Sequence, residues 1–193
     1  MLGLKLATDP YWVNIAEKSI NEILTDHAYC EQKAASTCIS LIIQFPHRQE
    51  LVEEVTPIVA EEWGHFRKVL KEIKSRGYLF GRNRIDNYVT QLMKFQRTGG
   101  NEEDRLIDKL LISAMIEARS CERFRLLSIH IADDALKQFY HEFMISEAGH
   151  YRTFLDLAKT YAPEDSVKRR WHEMLDFEAD IMKTRELRGD RIH

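Results

Sequence analysis

Two short stretches repeat one arrangement of chemically useful side chains. Residues 60–66 read AEEWGHF and residues 146–154 read SEAGHYRTF, and in each a glutamate stands three residues before a histidine: Glu62 with His65, and Glu147 with His150. At about 100° per residue the two members of such a pair project from one face of a helix. Of the eight histidines, these are the only two with a glutamate in that place. Both pairs fall inside apolar stripes, where an unpaired carboxylate is costly. A metal removes that cost. Carboxylate oxygen and imidazole nitrogen suit ferrous and manganous ions, and helical bundles build dinuclear centres from two Glu-x-x-His helices plus one Glu from each of two others.

The elements that would carry such a centre follow from the period of the apolar residues. From Trp12 to Gln44 they recur at steps of three and four (Ile20, Ile23, Leu24, Cys38, Leu41), the period of a helix with one buried stripe. Pro46 stops it, and a second pattern runs from about Arg48 to Arg76, with Pro57 marking a kink or a later start. Two glycines in RGYLFGRN break that pattern, and a short helix is expected over Arg84 to Arg97. A third long helix is expected from Glu102 to Ile131, started by Asn101, and a fourth from Asp134 to about Tyr161, capped by Asp133. A fifth, from Asp165 to Leu187, should pack on the outside. No strand alternation or interdomain linker is evident, so the expected architecture is one all-α domain over residues 1–193. It is a ferritin-like four-helix bundle with a long crossover between helices 2 and 3 and an extra C-terminal helix.

That topology predicts the remaining ligands. Glu31 lies as far before Gln44 as Glu62 lies after Arg48, to within a single position, so their depths in an antiparallel hairpin match. Glu117 before Ile131 and Glu147 after Asp134 match equally closely. Glu122 would be displaced by about 6–7 Å along the axis at 1.5 Å per residue, which makes Glu117 the preferred ligand and Glu122 the alternative. The candidate ligand set is therefore Glu31, Glu62, His65, Glu117, Glu147 and His150. Four carboxylates and two neutral imidazoles balance two divalent ions, turning the formal charge of −3 into about +1. His27, four residues before Glu31, is either a partner of that carboxylate or a satisfied core histidine.

Composition limits the setting. Hydrophobic residues make up 44% and charged residues 31%, and no apolar run approaches the roughly 20 residues of a membrane span. The first residues lack the pattern of an export signal, so the expected location is the cytoplasm. Cys30, Cys38 and Cys121 form no CxxC pair and read as reduced core residues. Charge is uneven: between Arg67 and Arg97 nine basic residues face two acidic ones, so that stretch is +7 and the rest of the chain −10. A local polyanion site is thus allowed on an acidic protein.

Ligand types alone leave peroxidases, ferroxidases, manganese catalases and oxygenases open. The wider sequence narrows the choice. The segments LATDPYWVNIAEKSINEILTDHAYCEQKAASTCISLI, EEWGHFRKVLKEIKSRGY, LLISAMIEARSCERFRLL and FYHEFMISEAGHYRTFLDLA together resemble the tRNA 2-methylthio-isopentenyladenosine hydroxylase family, most specifically in IEARSCERF with SEAGHY. The resemblance implies a non-haem di-iron monooxygenase that uses O2 to hydroxylate the prenyl side chain of the modified adenosine beside the anticodon. It also implies ligand roles for Glu31, Glu62, His65, Glu117, Glu147 and His150, with two iron ions as cofactor.

A tRNA enzyme needs phosphate contacts and a surface for the base. Arg76, Arg82, Arg84 and Arg97, interleaved with Tyr78, Phe80 and Tyr88, have the composition for both, so the crossover is expected to grip the anticodon arm. The competing reading is a solvated face with aromatics anchoring a loop. The tail from Lys168 to His193 holds seven basic and six acidic residues and reads as a solvated amphipathic helix. Without a flavin or dinucleotide motif, an oxygenase here would take its two electrons from an external reductase. Two rivals stand beside this reading: a di-iron or di-manganese oxidase, peroxidase or hydroxylase acting on a small molecule, and a non-catalytic helical RNA-binding protein.

Overall fold

The computed structural model describes residues 2–193, and all regular structure among them is helical. Backbone contacts divide the chain into two units. One comprises Tyr11–Ile85 with Arg188–Ile192; the other comprises Asp86–Leu187 with the residues up to Pro10 and His193.

In the first unit the expected helix from Trp12 is broken. A short α1 (Tyr11–Ala16) and a 3-10 turn (Glu17–Ser19) precede the long α2 (Ile20–Gln44), and Ser19 leaves the helical region at φ −140° and ψ 43°. The break re-aims the first turn, whose Trp12, Val13 and Ala16 are all buried and whose Trp12 indole N–H donates to the Arg188 carbonyl at 2.7 Å. After the Pro46 turn, α3 runs from Gln49 to Ser75, straight through Pro57. Pro57 is on the exposed face, so the Glu53 carbonyl that loses its N–H donor meets water and the helix is not ended. The buried stripe of α3 is Leu51, Val55, Ile58, Glu62, Phe66, Val69 and Ile73, one residue every three or four. It packs along α2. Gly77, at φ +71°, closes α3: its N–H donates to the Lys74 carbonyl and that of Tyr78 to the Ile73 carbonyl, which satisfies two of the last turn's orphan acceptors.

The tail returns to this unit through buried Asp26, which accepts from Arg191 Nη1 at 2.6 Å and from the Ile192 N–H at 2.8 Å. Gly189 crosses α1 so closely that a Cβ there would lie 2.4 Å from the Ile15 carbonyl oxygen.

The expected excursion from Arg84 to Arg97 is helical only over α4 (Asn87–Leu92) and a 3-10 turn (Met93–Phe95), both in the second unit. Its two flanking arginines are instead held in ion pairs, as given below. Asn101 and Asp104 form a capping box at the start of α5 (Glu102–His130), and Asp133 caps α6 (Asp134–Tyr161) through the Leu136 N–H. These helices pack along one another, with the Phe124 ring of α5 5.5 Å from Tyr140 and 5.7 Å from Phe143 of α6. The last helix, α7 (Glu164–Lys183), contacts α4, α5 and α6. Among the described residues no helix is long and apolar enough to cross a membrane.

Candidate functional site

Each hairpin brings its predicted ligands to one level. Glu31 stands as many positions before Gln44, the end of α2, as Glu62 stands after Gln49, the start of α3. Glu117 before His130, the end of α5, and Glu147 after Asp134, the start of α6, repeat that same spacing. Measured from its own turn, each of the four glutamates therefore has the same depth.

In the first unit Glu31 and Glu62 are buried, His65 is half-buried, and their ligating atoms lie within 4.8 Å of one another. His65 Nδ1 is 3.3 Å from Glu31 Oε2 and 3.8 Å from Glu62 Oε2. His27, fully buried one turn before Glu31, sits with Nε2 at 2.6 Å from Glu31 Oε1, which makes it that carboxylate's partner. Burial pushes the Glu31 carboxyl up, but the hydrogen bond and charge of His27, with hydrogen bonds from His65 and Glu62, outweigh it and hold it at about 2. Burial likewise pushes His65 down, while hydrogen bonds to Glu31 and Glu62 and their charges carry it up to about 10. Glu31 is therefore an anionic donor.

In the second unit Glu117, Glu147 and His150 are all buried, and their ligating atoms also lie within 4.8 Å of one another. One turn beyond Glu117, burial and then the Glu117 charge push the Cys121 thiol up to about 11. Its Sγ–H donates to the Met144 carbonyl at 3.4 Å. All three cysteines are free, Cys38 and Cys121 buried and Cys30 only half-buried.

The alternative ligand Glu122 is committed elsewhere. Its Oε1 accepts from the Thr8 N–H and its Oε2 from the Thr8 hydroxyl, each at 2.8 Å, and Oε2 also accepts from Arg119 Nη1. Arg119, buried in α5, donates further to Glu178 Oε1 from Nε at 2.9 Å and from Nη2 at 2.6 Å, and to the Leu6 carbonyl at 3.0 Å. Tyr88 completes this network with a 3.2 Å hydrogen bond to Glu178.

The donor set of each cluster fits a divalent ion. Bonds of about 2.0–2.2 Å put donors up to roughly 4.4 Å apart across one ion, so side chains already within 4.8 Å need only a slight closure. Anionic oxygen and imidazole nitrogen are ligands that iron, manganese and zinc accept.

Of the cations expected to meet RNA, three are engaged within the protein. Arg76 donates to Glu72 at 2.6 Å, and Arg84 pairs with Asp190 at 2.9 Å and Glu22 at 2.8 Å. Arg97 pairs with Asp104 at 2.7 Å and Asp108 at 3.0 Å. Arg82 and Tyr78 are exposed. Trp63, next in sequence to the candidate ligand Glu62 and 48% exposed, carries no chemical signal in the sequence beyond its place on an otherwise polar face.

Long helices in this connectivity, with a carboxylate–histidine cluster in each hairpin, define a ferritin-like protein equipped for metal. A solved structure, "Protein 43 with aldehyde deformylating oxygenase activity from Synechococcus", matches with a TM-score of 0.92 and 31% identity over 98% of this chain and 94% of its own. The chain belongs to the tRNA-(MS[2]IO[6]A)-hydroxylase (MiaE) family, whose model matches residues 2–193. A tRNA 2-(methylsulfanyl)-N(6)-isopentenyladenosine(37) hydroxylase of Pseudomonas putida is 37% identical over 84% of this chain and 78% of its own length. The enzyme of the same name from Salmonella typhimurium is 28% identical over 83% of this chain and 75% of its own.

Proposed function

We propose that this chain is an O2-dependent non-haem di-iron monooxygenase that hydroxylates the isopentenyl side chain of 2-methylthio-isopentenyladenosine beside the anticodon of tRNA. The observation that carries the reading is family membership over residues 2–193 in a chain whose hairpins each hold a carboxylate–histidine cluster with buried glutamates. Glu31, Glu62, His65, Glu117, Glu147 and His150 would hold the iron pair. When bound, the iron pair would supply O2 activation and removal of hydrogen from carbon.

The residues' own tasks follow from their surroundings. Four buried glutamates would offset the charge of two divalent ions. His27, hydrogen-bonded to Glu31 at 2.6 Å, fixes the orientation of that carboxylate and maintains its charge. Hydroxylation takes one C–H bond, one O2, two electrons and two protons to a C–OH group and water. The electrons would come from an external reductase, and the tRNA anticodon arm is the macromolecular partner.

The match to a protein with aldehyde deformylating oxygenase activity supports a second reading, in which the same centre acts on a small aldehyde. The two separate in one experiment. The protein is loaded anaerobically with ferrous iron, exposed once to oxygen with prenylated tRNA and reductant, and the digested nucleosides are weighed. A gain of one oxygen on the prenylated adenosine, absent in Glu147→Ala, is expected. Bound iron with unchanged nucleosides, together with turnover of an aldehyde, would replace the first reading by the second.

A further inference from the structure

The first unit carries a surface that its own packing does not explain. Four rings run in sequence across α2, α3 and the loop after α3. Tyr29 stacks on Phe80 at 4.6 Å, Phe80 meets the edge of Phe66 at 6.2 Å, and Phe66 lies 4.9 Å from Trp63. Phe66 is buried, but Trp63 is 48% and Phe80 40% exposed. The loop bearing Phe80 is fastened at Gly81, whose carbonyl accepts from the Tyr29 hydroxyl at 3.1 Å and whose N–H donates to Thr25 Oγ1 at 3.5 Å. Room there is short, because a Cβ on Gly81 would meet Thr25 Cγ2 at 3.2 Å. The chain thus holds an aromatic residue in water rather than tucking it in.

Charge changes sign along the same helix at Trp63. From Gln49 to Glu62, α3 contains five glutamates and no lysine or arginine; from Arg67 to Lys74 it contains Arg67, Lys68, Lys71 and Lys74 against Glu72. At about 100° per residue Trp63, Arg67, Lys71 and Lys74 fall within one strip about 80° wide. Arg67, Lys71, Lys74 and the loop's Arg82 are exposed, and among the described residues none of them is held in an ion pair. Acid before base complements the helix dipole, which accounts for the charges but not for the exposed rings beside them.

We infer that Trp63 and Phe80 form the base-stacking platform for the substrate RNA, and that Arg67, Lys71, Lys74 and Arg82 take its phosphates. The inference rests on the tRNA reading above. It replaces Arg76, Arg84 and Arg97, whose guanidinium groups already bind carboxylates, by four cations with none. Adjacent planar rings accept any base, and a cationic strip along a helix follows a single-stranded backbone. Trp63 follows the candidate ligand Glu62 in sequence but stands about 100° round the helix from it, so the platform would hold bases on the open face of α3.

The test uses the full chain and prenylated tRNA. Trp63 is the exposed one of three tryptophans, Trp12 and Trp171 being buried, so tRNA binding should quench fluorescence in the wild type and not in Trp63→Phe. Trp63→Ala and Phe80→Ala are each expected to weaken binding about tenfold. Replacing Arg67, Lys71 and Lys74 together by glutamine should flatten the dependence of log affinity on log salt by about 2–3 units, while Lys168→Gln with Lys183→Gln leaves it unchanged. Wild-type affinity and slope in the α3 variants, with tRNA still bound, would overturn the inference and leave the proposed function standing. A wild type that binds no prenylated tRNA would overturn both.

Discussion

The two hairpins hold the same ligand pattern at the same depth, yet they are built differently around it. In α3 a single stripe is buried and the opposite face is open, with Trp63, Arg67 and Lys71 in water. In α5 nearly every residue from Leu106 to Leu127 is buried, Asp108, Arg119, Glu122 and Arg123 among them, with Arg125 the exposed exception. Asp108, Arg119 and Glu122 in that helix are held in ion pairs, whereas among the described residues Arg67, Lys71 and Lys74 of α3 are in none. Under the proposed function these unequal supports would divide the work: the α5–α6 hairpin would fix its half of the candidate ligands in a packed setting, and the α2–α3 hairpin would leave a face for substrate.

The largest expected effect breaks the packed side. Arg119→Ala leaves Glu178 and Glu122 without their main cation in a region closed to water, and should cost about 3–5 kcal/mol of stability. Arg76→Ala removes a partly exposed pair one helical turn apart, Arg76 with Glu72, and should cost well under about 1 kcal/mol. Urea unfolding midpoints of the two variants test the contrast directly. Similar losses would mean that the hairpins are supported alike.

A second experiment sharpens it within α5, where Glu117 and Glu122 lie five residues apart. Glu117→Gln should lower turnover at least about 100-fold, or about 2.7 kcal/mol of transition-state stabilisation, with bound iron reduced. Glu122→Gln weakens the hold on Thr8 and Arg119, so it should lower the unfolding midpoint while two irons per chain and turnover persist. Iron analysis beside thermal melting decides which carboxylate is the ligand. The reverse pattern would exchange their roles.

Much of this is legible in the sequence because local periodicity governs it. The ends of α2 at Gln44 and α6 at Tyr161, the caps Asn101 and Asp133, and the depths of the four glutamates all follow from short-range rules. What escapes depends on residues far apart in the chain. The pairing of Arg84 with Asp190 spans 106 residues, and the hold of Glu122 on Thr8 spans 114. Ser19 interrupts the first helix where Trp12 meets the tail at Arg188, a contact no local window contains. Pro57 misleads in the other direction, since on a wet face its missing donor costs too little to end a helix.

The smallest effect concerns acid stability and separates buried from open charge once more. Asp108, buried in α5, accepts from the Arg97 N–H at 2.8 Å, from Arg97 Nε at 3.0 Å and from Arg170 Nε at 2.8 Å, while Arg170 lies over the Phe95 ring. Burial pushes its carboxyl up, but Arg170 and Arg97 outweigh that and hold it below the ordinary carboxylate value. A carboxylate whose value is lower folded than unfolded contributes stability that is complete above the unfolded value, about 3.9, and is lost as pH falls through the folded one. Asp108→Asn removes this contribution, about 1.5 kcal/mol at neutral pH because Arg97 is part-exposed. The gap between wild type and variant, read from urea midpoints, should hold from pH 7 down to about pH 5 and shrink below about pH 4. Glu164, fully exposed with Lys168, supplies the control: its substitution by glutamine should leave the acid limb where it is, because a solvated pair gains little from either partner.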